Sequence, residues 1–155
     1  MIVGIDPGKT GGIALISANG QASGIAMPII GKDIDGHELA SILSNTQPSV
    51  VIIEKVGAMP KQGVTSTFTF GTGYGRLLGV CEALGIPYRL VTPQAWKKVV
   101  LAGTAKDKDA AIAFVKRAFP MVDLTPGRKR VPHDGIADAV CLAEYGRQLM
   151  AKGAA

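Results

Sequence analysis

Four acidic residues stand where a site could be built. Asp6 closes a short apolar run at 2–5 and opens the turn Pro7-Gly8-Lys9-Thr10-Gly11-Gly12. Glu54 closes a second run at 50–53, whose β-branched side chains suit a strand buried on both faces. Asp134 and Asp138, in His133-Asp134-Gly135-Ile136-Ala137-Asp138, are four residues apart, which puts both on one face of a helix. A carboxylate is costly to bury alone and needs a cation or hydrogen bonds. Two acids one helical turn apart also repel each other without a counterion. Donors that are oxygen only, with no Cys or His pair among them, favour hard cations such as Mg²⁺ or Mn²⁺. Two such ions about 3.5–4 Å apart can activate a water and stabilise the leaving oxygen in phosphodiester cleavage. Quieter roles stay open at the same positions: Asp6 can cap its own turn, Asp134 can stabilise a helix N-terminus, and Glu54 can simply end a strand. His133 is a surface histidine, or a proton shuttle or phosphate contact beside the acids.

The elements around these residues must bring them together. Apolar runs at 2–5, 13–16 and 22–27, with the turn signal Asn19-Gly20 between the last two, predict a three-strand meander. Runs at 50–53 and 87–91 predict two further strands. Helices are expected at 37–43, 65–84, 93–101, 105–119 and 132–150, with a loop at 122–131. Strands first, then strand alternating with helix, describe an α/β domain with a mixed five-stranded sheet flanked by helices. In such sheets the functional crevice lies at the carboxyl ends of strands, where Asp6 and Glu54 stand. Gly8-Lys9-Thr10 is not a P-loop, because only three residues separate Gly4 from Gly8 where that motif needs four. Gly71, Gly75 and Gly79 would form a bare stripe on the second helix, open to close approach by another backbone, either within the subunit or from outside it.

Composition bounds the partner. The 155 residues carry a net charge of +5, and the first 75 net −1 while the remainder nets +6. A basic half points first to nucleic acid and second to an acidic membrane surface. No apolar run reaches the roughly 18 residues of a spanning helix, so no membrane role is expected. One domain over 1–150 with a short tail at 151–155 accounts for the length. Cys81 and Cys141 have neither zinc nor disulfide spacing, which fits a reducing cytoplasm.

The motif Ile2-Val3-Gly4-Ile5-Asp6-Pro7-Gly8, the strand ending Val51-Ile52-Ile53-Glu54-Lys55 and the closing Ala137-Asp138-Ala139 helix resemble the RuvC-like Holliday junction resolvases of the ribonuclease H-like superfamily. The resemblance spans nearly the whole chain in order and spacing. Length and the Asp134-Gly135 pair look most like the shorter phage or prophage members. The resemblance implies a ribonuclease H-like fold and a metal-dependent homodimeric endonuclease that places two symmetric nicks in a four-way DNA junction. It makes Asp6, Glu54, Asp134 and Asp138 the metal-binding catalytic acids. It also places Lys97 and Lys108, or Lys106 in its stead, near the scissile phosphate, and puts the glycine-striped helix at the dimer interface. Lys98, Arg128, Lys129 and Arg130 complete the candidate phosphate contacts.

Two departures from the family pattern bear on substrate. Bacterial members usually space the last two acids three residues apart, and they carry an aromatic just after the strand glutamate that wedges into the junction centre. Here the spacing is four, and Val56, Gly57 and Ala58 follow Glu54. Phe68, Phe70 and Tyr74 are the candidates for stacking on exposed bases. Competing readings are a ribonuclease H-like enzyme for structured RNA and a junction-binding module without catalysis. The 4–10 segment also resembles the phosphate loop of sugar-kinase and actin-like ATPases, but those clamp nucleotide between two domains, so no nucleotide cofactor is expected.

Overall fold

The structure, a computed structural model, describes residues 1–58 and 61–153, the Arg128 side chain excepted. The last two residues of the expected tail lie outside it. Strands β1 (Ile2–Asp6), β2 (Gly12–Ile16) and β3 (Ala22–Ala26) form the meander. Strands β4 (Ile29–Ile30) and β5 (Asp33–Ile34) make a small separate hairpin, which the sequence does not announce. Helix α1 (Gly36–Thr46) leads to β6 (Val50–Glu54), helix α2 (Val64–Ala83) to β7 (Tyr88–Val91), and helices α3 (Pro93–Val100), α4 (Lys108–Ala118) and α5 (Asp134–Ala151) complete the chain. The main sheet runs β3-β2-β1-β6-β7, antiparallel through the meander and parallel from β1 to β7.

The sheet separates two apolar layers. Along β1 and β6, Ile2 and Ile52 enter a core built with α3, α4 and α5, through residues such as Trp96, Val115 and Val140. Val3, Ile5, Val51 and Ile53 enter the opposite core, with Leu39 and Leu43 of α1 and Leu77 of α2. Cys81 and Cys141 are buried in different layers and are free. Among the described residues no helix is long and apolar enough to cross a membrane.

Two helix starts differ by two or more residues from the sequence expectation. Helix α4 begins at Lys108 rather than Ala105, because Lys106 adopts a left-handed φ of 59° and Asp107 caps the helix, accepting from Ala110 N at 2.8 Å. Helix α5 begins at Asp134, and His133 is its cap, with Nδ1 accepting from Ile136 N at 3.2 Å. His133 is therefore a structural cap on the helix that carries two of the acids.

Candidate active site

Strand parity puts the acids on one face. Side chains alternate along a strand, so if Ile2 and Ile52 face the α3–α5 layer, Asp6 and Glu54 do too. The parallel register pairs Ile5 with Ile53, which sets the two carboxylates at the same level on neighbouring strand ends. Helix α5 then lies against this face at unusually short range. A Cβ at Gly4 would stand 2.1 Å from Ala139 O and 2.4 Å from Ala143 N, so only glycine lets the helix rest on β1. At the helix start, a Cβ on Gly135 would stand 2.4 Å from Thr10 O and 2.6 Å from Gly11 Cα, and Gly11 and Gly135 form a β-bridge. This seating brings Asp134 and Asp138 to the end of β1.

Asp6 and Asp138 feel the other acids. Burial, then the neighbouring Glu54 charge, pushes the Asp6 carboxyl up to about 6, against the opposing pull of the Gly8 N–H and Lys108. Burial, then Asp6, pushes Asp138 up to about 7, with Glu54 and Asp134 adding to the effect and Lys97 opposing it. Asp134 behaves oppositely. Its hydrogen bond and ion pair with Lys108 hold its carboxyl below the usual range. Glu54 Oε2 accepts a hydrogen bond from Trp96 Nε1 at 2.8 Å. Asp6 also closes its own turn, weakly, through Gly8 N at 3.4 Å, so its capping role and its place in the cluster coexist.

Among the described residues no three His, Cys, Asp or Glu side chains converge closely enough to cage a metal ion as they stand. Lys108 and Trp96 take up part of the coordinating capacity of Asp134 and Glu54. The donor set nonetheless fits a hard divalent cation. It is oxygen only, it gathers at the ends of two strands and one helix, and two of its carboxyls are raised by burial and, after it, by neighbouring carboxylates, a charge excess that a cation would offset.

The basic residues divide into groups. Lys97 and Lys98 on α3 and Lys106 on the following turn line one open cavity of about 510 Å³ with Pro93 and Gln94. Lys108, the first residue of α4, turns instead to Asp134. Lys129 and Arg130 are exposed in the loop before α5, and the Arg128 side chain lies outside the described residues. A second cavity of about 360 Å³ opens beside the Asp6 turn, where Pro7 and Lys9 meet Lys32 of the hairpin and Thr65, Ser66 and Phe70 of α2. The candidate aromatics also separate. Phe68 is 76% exposed, whereas Tyr74 is half-buried against the α1–α2 core and stacks on Phe70 at 6.5 Å. Among the described residues nothing lies within 4 Å of where a Cβ would be at Gly71, Gly75 or Gly79, so none of these packs closely on the glycine stripe.

Sequence reading missed Trp96 as the partner of Glu54 and His133 as the α5 cap. The available signal for Trp96 was that the only tryptophan in the chain directly precedes Lys97.

No family model matches the chain. It is 27% identical over 158 residues to the crossover junction endodeoxyribonuclease RuvC of Myxococcus xanthus, covering 94% of this chain and 81% of that protein. Among solved structures, Thermus thermophilus RuvC superposes with a TM-score of 0.68 at 18% identity, over 98% of this chain and 96% of the other. The same protein in complex with Holliday junction substrate gives 0.67 at 16% identity, with the same coverage. The yeast mitochondrial Holliday junction resolvase Ydc2 gives 0.58 at 13% identity, over 97% and 79% of the two chains. With a sequence match running nearly end to end and the same mixed sheet flanked by helices, this chain is RuvC-like and has the fold of the RuvC Holliday junction resolvases.

Proposed function

We propose that the chain is a divalent-metal-dependent endodeoxyribonuclease that resolves four-way DNA junctions by paired symmetric nicks. The observation that carries this reading is the gathering of four carboxylates where the ends of β1 and β6 meet α5, close enough that Glu54 and Asp134 act on Asp6, and Asp6, Glu54 and Asp134 act on Asp138. Residues 1–150 act as one nuclease domain. Asp6, Glu54, Asp134 and Asp138 would hold the metal, with Mg²⁺ or Mn²⁺ suited to the donor set and two ions matching four acids. Such a cation supplies positive charge to the scissile phosphate and lowers the pKa of an attacking water. The chain's own residues do the positioning. The β1–β6 pair fixes Asp6 and Glu54 in register, α5 fixes the two aspartates, and Lys97, Lys98 and Lys106 present ammonium groups to the substrate backbone. Lys108, paired with Asp134, and the exposed Lys129 and Arg130 of the loop before α5 are further candidate phosphate contacts, and Phe68 offers an exposed ring to unpaired bases.

Symmetric nicking needs two sites, and α2 suits a homodimer contact. Its glycine stripe is open, and Val64 stands exposed on the same helix. Work in the cytoplasm on branched DNA accords with two buried free thiols and a basic C-terminal half.

The test is a labelled four-way junction incubated with Mg²⁺ or Mn²⁺, comparing wild type with Asp6→Asn. Paired nicks from wild type and none from the variant are expected. Cleavage surviving in Asp6→Asn overturns the site, absence of cleavage on any branched DNA overturns the activity, and preferential cleavage of structured RNA reassigns the substrate.

A further inference from the structure

The geometry points to Trp96 as the positioning residue for Glu54, resting on the reading of Glu54 as a metal-holding acid. The bond spans 42 residues of sequence, from Nε1 of a fully buried indole to Oε2 at 2.8 Å. Its construction can be followed element by element. Glu54 pairs in parallel register with Val91, and Lys55 N donates to Val91 O at 2.7 Å, which locks the two strand ends together. Directly after Val91, Thr92 caps α3 by accepting from Ala95 N, and Pro93 starts the helix with φ already set. One turn later the helix places Trp96 below the strand end that carries Glu54. The indole has one polar atom, a donor, and no acceptor. It can hold a carboxylate only from one side, and the remaining lone pairs stay available to a cation.

The same helix turn supplies a second service. Lys97 lies over the Trp96 ring at 5.2 Å and acts on Asp138 through its charge. Helix α3 thus reaches two of the four acids through adjacent residues, and Trp96 is the one that makes a directional bond. A long glutamate side chain at a strand end has several rotamers. A rigid, buried donor selects one of them before any cation arrives, which is how outer partners raise metal affinity.

The test exploits the fact that Trp96 is the only tryptophan in the chain. Replacing it with benzothienylalanine keeps the shape of the ring and puts sulfur where the N–H was. Mn²⁺ binding is measured by electron paramagnetic resonance, alongside metal-free thermal melting. The expected result is a melting temperature within a few degrees of wild type and Mn²⁺ affinity about 10-fold or more weaker. Equal Mn²⁺ affinity in wild type and variant overturns the proposal, and a wild type that takes up no Mn²⁺ overturns it together with the metal reading. A second measurement is independent of metal: the indole emission of Glu54→Gln in EDTA is expected to shift relative to wild type. Identical emission means that the indole does not sense this carboxylate, and overturns the proposal while leaving the metal reading intact.

Discussion

The seating of α5 on the β1–β2 turn makes a sharp prediction at Gly135. A Cβ there would meet Thr10 O at 2.4 Å and Gly11 Cα at 2.6 Å, whereas ordinary contact begins near 3.4 Å. Both neighbours are backbone, so no side chain can swing aside; the helix start and the turn must part by about 1 Å. Overpacking of this kind costs about 1–3 kcal/mol, and the better helix propensity of alanine offsets up to about 1 kcal/mol of it. The net loss of about 2 kcal/mol or less corresponds to roughly 4–8 °C in melting temperature for a chain of this size. Function should suffer more than stability. Asp134 immediately precedes the strained residue and Asp138 is one turn beyond it, so both acids move away from Asp6. A displacement of about 1 Å in a catalytic constellation can cost on the order of 100-fold in rate. Gly135→Ala should therefore remain folded by circular dichroism, melt a few degrees lower, and cleave a four-way junction about 100-fold more slowly at saturating Mn²⁺. A variant that cleaves within about threefold of wild type at an unchanged melting temperature would refute the claim that this contact sets the acids.

Two further outcomes follow from the same structure. Asp6 and Asp138 lie at about 6 and about 7 in the folded chain, above the ordinary 3.8, so the folded state binds protons more tightly and metal-free stability falls as pH rises from about 4 through about 7. In EDTA at about pH 8, Asp138→Asn should therefore be more stable than wild type, by an amount on the order of 1–3 kcal/mol, and the gap should close only as pH falls to about 4, where the carboxyl is protonated folded and unfolded alike; a gap independent of pH would refute the electrostatic account. The open stripe predicts that a Gly71, Gly75, Gly79 triple alanine variant gains helix stability, about 0.5–1 kcal/mol per site in the monomer, while sedimentation shows a weakened dimer. Unchanged dimerisation would place the interface elsewhere.

How far the sequence foretold this arrangement depends on how local each feature is. Strands β1 and β6 were legible because both are continuous apolar runs ending at an acid, and their parity follows from the period of two alone. The β4–β5 hairpin was not, since strands of two residues leave no pattern. The start of α4 was misplaced because a non-glycine residue, Lys106, takes a left-handed φ, which sequence pattern does not flag. Glycine spacing alone left its role open. Among the described residues, a Cβ at Gly71, Gly75 or Gly79 would have nothing within 4 Å, while the solitary Gly4 and Gly135 carry the close contacts that assemble the site. Spacing marks a glycine face but cannot say what lies against it. The Trp96–Glu54 bond was out of reach for the same reason, because it arises only when β7 pairs with β6 and α3 folds back beneath them.

The two aspartates of α5, one helical turn apart, occupy unlike environments, and this bears on the four-residue spacing. Asp138 is turned inward, where burial and Asp6 raise it. Asp134 sits at the rim, with 36% of its side chain exposed, paired to a Lys108 that is 74% exposed. An exposed pair of this kind is worth little to stability, so Lys108 is free to exchange partners at small cost. On the proposed function, a cation would relieve repulsion chiefly at Asp6 and Asp138, while at Asp134 it would compete with a lysine that is already there. Moving the outer acid to the first residue of α5 ties its position to Gly135 and to the first residue of α4, two contacts an acid one residue later would not inherit. The wider spacing therefore leaves the two aspartates unlike: Asp138 lies inward beside Asp6, and Asp134 lies at the rim on the Lys108 ammonium, with which, on the proposed function, a cation would have to contend.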